Sequence, residues 1–145
     1  MAFTDAIHSA KRFILGTRRR VNADEFIYLQ GVASTAIGTW VTFDEAGLTT
    51  RAVANAQGQV AIAMAATVAS KYGWYQIYGS ASGLALTAFA DNGKVYLTAT
   101  DGSVDDTDVA GDFVVGAVGR SAVNETTFLA TFQLNYPMVQ DTAFD

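Results

Sequence analysis

The sequence predicts an all-β chain: a single antiparallel β-barrel or sandwich-like body carrying an extended N-terminal arm. Three observations lead there. From Glu25 onward, short runs rich in β-branched and aromatic residues alternate with glycine-containing turns. The centres of these runs recur about every ten residues, the spacing of antiparallel hairpins, while the helical stretches that βαβ units need are mostly missing. The length of 145 residues is that of one domain, and 50% hydrophobic with 16% charged residues is a composition that buries a core rather than staying disordered.

Residues 1–23 read as a basic arm, because no strand period runs through them and a helix over 6–14 would be marginal at that length. The body, 24–137, holds strand candidates at 26–32, 39–43, 49–53, 60–68, 72–78, 84–89, 94–100, 113–118 and 127–136. The run at 60–68 is ambiguous, since its alanines and Met64 favour helix. Yet Val60, Ile62 and Met64 alternate with Ala61, Ala63 and Ala65, and the strand reading is preferred. Asp91-Asn92-Gly93 and Asp101-Gly102 tolerate positive φ and can close turns without strain. Residues 138–145 read as a C-terminal tail.

Charge is unevenly placed. Lys11, Arg12, Arg18, Arg19 and Arg20 against Asp5 give the first twenty residues +4, whereas four basic and thirteen acidic residues give the remainder −9. An acidic body repels nucleic acid, and a basic segment suits phosphates, anionic lipid or an acidic protein face. The order of charge and apolar residues is the reverse of a secretory signal: Phe13-Ile14-Leu15 is short and bracketed by charge. No run of eighteen apolar residues occurs, so neither a membrane span nor a membrane partner is expected.

The residues available for chemistry are few. Without cysteine there is no disulfide, thiolate metal site or cysteine nucleophile, and one histidine, His8, leaves almost no material for a His–carboxylate pair. Five aspartates crowd 101–112, but an EF-hand register from Asp106 puts Ala110 and Ala117 where ligands are required. That segment reads as a solvated acidic turn. A carboxylate pair such as Asp105 and Asp108 has no spacing that sets it across a cleft. Gly79-Ser80-Ala81-Ser82-Gly83 carries alanine where a nucleophile elbow needs serine, and reads as a hairpin loop. Around Gly93-Lys94, Ala88 replaces the first glycine of a phosphate-binding loop. No enzyme activity, cofactor or metal is expected.

Two features remain. As a strand, 72–79 puts Tyr72, Trp74, Gln76 and Tyr78 on one face, but only Lys71 is nearby to make it a base-stacking platform. Trp40, Trp74, Tyr75 and Tyr78 are therefore expected in the core or at a subunit interface. Lys11, Arg12, Arg18, Arg19 and Arg20 are the expected contacts to an acidic protein surface, because the guanidinium fork pairs with carboxylates.

Several phrases taken together carry a family likeness: Tyr28-Leu29-Gln30-Gly31-Val32-Ala33-Ser34-Thr35, Gly38-Thr39-Trp40-Val41-Thr42-Phe43-Asp44-Glu45, Ala61-Ile62-Ala63-Met64-Ala65 and Lys71-Tyr72-Gly73-Trp74-Tyr75-Gln76-Ile77-Tyr78-Gly79. Asp91 to Thr100 and Ala110 to Gly116 continue it. Over roughly residues 18–137 the chain resembles capsid decoration, or cement, proteins of tailed bacteriophages. The resemblance implies a virion protein, made in the host cytoplasm, that binds the outside of an icosahedral shell and clamps neighbouring major capsid subunits. It also implies self-assembly, with a trimer favoured over a dimer. The alternatives are another virion component (head fibre, neck or tail) and, further off, a nucleic-acid-binding β-barrel.

Overall fold

The computed structural model describes residues 3–140. It is all-β, with one large antiparallel sheet that does not close into a barrel; the body is sandwich-like. After a single 3₁₀ turn at Phe3–Asp5 come β1 (Ile7–His8), β2 (Arg18–Val21), β3 (Asp24–Gln30), β4 (Trp40–Phe43), β5 (Thr49–Arg51) and β6 (Gly58–Ala63). β7 (Tyr72–Leu84), β8 (Lys94–Leu97), β9 (Val104–Asp105), β10 (Phe113–Gly119) and β11 (Leu129–Gln140) complete it.

The spine is β7. Its first half pairs with β3 on one edge and with β1 and β6 on the other, and its second half pairs with β11 from Leu84↔Leu129 to Tyr78↔Asn135. Past Tyr136, β11 leaves β7 and pairs with β6 at Met138↔Gln59. The sheet continues through β10 and β8 to β9, while β4 and β5 extend it beyond β6. Where β11 changes partner, the ladder to β10 slips between Val115 and Ala117, and Gly116 takes φ 87°. A side chain at Gly116 would also meet the carbonyl oxygen of Asn135, so only glycine fits this bulge.

Three apolar clusters follow from strand alternation. The largest joins Trp40, Ile62, Phe89, Leu97, Val114, Phe132 and Leu134 between the two halves of the sheet. A second packs Ile27, Leu29, Tyr75 and Ile77 against Val41, Ala61 and Ala63. The third, Phe26, Tyr28 and Trp74, lies on the opposite face of β3 and β7, and Phe3 and Leu15 cover it.

That third cluster changes the reading of residues 1–23. The arm is extended along the body and built into it rather than standing apart. β2 and β3 form a hairpin around Asn22-Ala23, with Asn22 at φ 57°, so the expected boundary between residues 23 and 24 separates the two strands of one hairpin. No helix forms over 6–14, because Ile7 and His8 find a strand edge at Gly73 and Tyr72. Other boundaries move as well. Residues 79–83 are strand interior, not a loop: β11 supplies the missing ladder, and the small residues let Trp40 approach. Strand structure in 60–68 stops at Ala63, and 84–89 is mostly turn after the Ala85 bridge. The expected tail begins inside β11, and its residues 141–145 lie outside the described residues.

Candidate interaction surface

The five cations separate into two groups. On β2, Arg18 and Arg20 share one face and converge on Glu25, with Nη1 of each 3.7 and 3.4 Å from its carboxylate oxygens. Tyr136 Oη donates to Glu25 Oε1 at 2.7 Å. Arg20 lies 5.0 Å from the Tyr78 ring centroid and Arg18 5.9 Å from that of Tyr136, and the two tyrosine rings pack at 5.2 Å. Arg19, on the other face, sits 4.1 Å over the Phe3 ring. The Glu25 hydrogen bond holds the Tyr136 phenol above its usual pKa, with desolvation and the Glu25 charge adding to the rise and Arg20 opposing it. Arg18 and Arg20 keep half of their side-chain surface in water, so one carboxylate leaves a positive, solvent-facing excess along the outermost strand of the sheet.

Lys11 and Arg12 belong to a second feature. They have no ion-pair partner among the described residues, and they lead into a turn that is fixed on both sides. Arg12 N donates to Tyr28 Oη at 3.3 Å, Gly16 N donates to Tyr28 O at 2.8 Å, and Thr17 donates to Ile14 O from both N and Oγ1. Leu15 tucks inward and Phe13 packs edge-on to Tyr28, but Ile14 at the apex is 82% exposed. His8 Nδ1 lies 2.7 Å from Tyr28 Oη, and burial, helped by the Arg12 charge, lowers the imidazole pKa.

Of the aromatic residues singled out from the sequence, three are buried. Trp40 donates from Nε1 to Leu84 O at 3.0 Å and meets Phe132 edge-on. Trp74 lies under Phe3 and Phe13. Tyr75 is fully buried, with Oη unpartnered among the described residues. The neighbouring hydroxyls of Thr35, Thr49 and Thr67 donate to Val32 O, Gln30 O and Ala65 O instead. Burial pushes the Tyr75 phenol up to about 12, against a weaker opposing pull from those threonines. Tyr78 is half-buried in the arginine cluster. Because Trp74 and Gln76 are buried, their face of β7 is not an exposed stacking platform.

The acidic segment 101–112 is stitched into the structure. Asp112 is buried and accepts from Asn55 N, Asp106 accepts from Ala90 N, and Asp101 pairs with Arg51 at 3.3 Å. Among the described residues no group of three or more His, Asp or Glu side chains is placed to hold a metal ion, and no helix is long and apolar enough to cross a membrane.

Three participants lay beyond the sequence reading. Glu25 and Tyr136 stand 111 residues apart, a separation that carries no local signal. Ile14 was visible only as an apolar residue bracketed by charge; its exposure is set by the turn. No family model, curated protein or solved structure matches the chain.

Proposed function

We propose that this chain is a structural virion protein, not an enzyme, which binds the outer surface of an icosahedral phage capsid and stabilises contacts between major capsid subunits. The observation that carries the reading is the N-terminal segment. Its excess positive charge and exposed apolar side chains form two fixed patches, Arg18 and Arg20 around Glu25 and the Ile14 turn held by Tyr28 on the opposite face of β3, so docking need not order the backbone. The sequence resemblance supports the same role. A clamp needs a rigid β-body and surfaces for the shell and for its own copies, and many weak contacts on a lattice add up. Its partners are then the major capsid protein and further copies of itself, and its place is the outside of the virion.

The test is to add the purified chain to shells lacking it and to count copies per particle. Copies in fixed proportion to the major capsid protein, displaced by rising salt, are the expected result. A few copies confined to one vertex would instead mark a neck, tail or head-fibre component, and absence of binding would overturn the proposal.

A further inference from the structure

A groove of about 620 Å³ opens between the tip of the β2–β3 hairpin and Ile37. Its walls are largely apolar, with Phe26, Met64 and Ala81 inside and Ile37, 59% exposed, on the rim. Part of its floor is an open sheet edge. Successive residues of a strand address opposite edges. Leu84 N–H bonds Gly38 O, and the carbonyls of Tyr78 and Ser80 accept from Gln76 Nε2, all on the side away from β11. Ser82 N–H and C=O share that parity and face the groove, beyond the reach of β3, whose pairing ends at Glu25↔Tyr78. Among the described residues, Asp24 is the one charged side chain in the lining, and it has no ion-pair partner.

The same chain carries the complement of this groove. The Ile14 turn presents a β-branched side chain almost wholly in water, preceded by two cations, Lys11 and Arg12, that have no ion-pair partner among the described residues. We propose that the groove receives the Ile14 turn of a second copy of this chain, with Ile14 seated between Ile37 and Met64, and Lys11 or Arg12 reaching Asp24. The contact deepens the reading above by naming how copies touch one another, and it leaves the arginines of β2 for the shell. Apolar fill supplies the affinity, and the charge pair fixes the orientation. A groove lacking Asp24 would accept any apolar knob; with it, a knob flanked by cations is favoured.

The experiment uses the full chain in solution without shells, by sedimentation velocity over a concentration series into the millimolar range. Wild type is expected to self-associate. Ile14→Asp, at a position whose side chain is in water, is expected to weaken association at least about tenfold without lowering the melting temperature. Asp24→Lys should weaken it too, and combining Asp24→Lys with Lys11→Asp and Arg12→Asp should restore it. A wild type that stays monomeric throughout, an Ile14→Asp variant that associates normally, or a charge exchange that fails to rescue would overturn the proposal. The two readings fail separately: a strictly monomeric chain that still coats shells removes only this one, and an associating chain that ignores shells removes only the other.

Discussion

At the scale of single residues, the structure separates side chains that fill space from those that tune it. Tyr75 does both: its ring joins the second apolar cluster, while its hydroxyl is buried without a hydrogen-bond partner among the described residues. Tyr75→Phe should therefore leave stability unchanged or raise it by up to about 1 kcal/mol, because no threonine loses an acceptor. Tyr75→Ala should cost about 3–5 kcal/mol through the cavity. Both are read by denaturant unfolding. The raised pKa of Tyr75 also has a sign: the folded state resists ionisation that the unfolded chain accepts. This contribution is complete below pH 10 and is lost as pH rises from 10 to about 12. It amounts to about 2–3 kcal/mol, so Tyr75→Phe should unfold less readily in alkali than wild type. At Gly83 an added Cβ would sit 2.8 Å from Trp40 Nε1 and 3.0 Å from Ile62 Cδ1. Gly83→Ala should cost about 1–3 kcal/mol by overpacking, with the near-ultraviolet circular dichroism of Trp40 altered.

Among elements, the N-terminal segment shows where sequence reasoning reaches and where it stops. Composition located the charge correctly, and β-branched runs located most body strands. What it could not show is that β3 and β7 are apolar on both faces, so that Phe26, Tyr28 and Trp74 need a cover. Phe3, Phe13 and Leu15 look like isolated apolar residues in a basic stretch, and only the fold gives them a common target. Residues 79–83 were obscured for a related reason. Gly and Ser mark loops locally, yet here a distant strand, β11, and the bulk of Trp40 demand small residues in a ladder. The docked segment makes a firm prediction. Removing residues 1–20 deletes β2 and exposes the Trp74 cluster, at about 1.5–3 kcal/mol for each apolar side chain returned to water. That is much of the total stability of about 5–15 kcal/mol for a domain. The truncated chain should show a red-shifted tryptophan emission and a sharply lowered melting temperature; an intact, equally stable body would mean that the segment is a free arm after all.

For the molecule as a whole, β7 joins the three clusters, placing Ala81 in the first, Tyr75 and Ile77 in the second and Trp74 in the third, while β11 ladders onto it and supplies Phe132 and Leu134 to the first. Calorimetry should accordingly show one transition covering the N-terminal segment and the body together. Pairings of such long sequence separation also place refolding in the millisecond-to-second range typical of all-β domains. The fold class was legible because strand period and turn chemistry are local; the candidate surface was not, because Glu25, Tyr136 and the groove at Asp24 are products of topology. The position of β2 at the rim of the sheet has one more consequence. A bare strand edge is a template on which identical chains stack into fibrils, and the exposed run Arg18-Arg19-Arg20 sets guanidiniums against their own image whenever two such edges meet. Newly made copies can therefore accumulate in a crowded cell without seeding amyloid-like polymers along this rim.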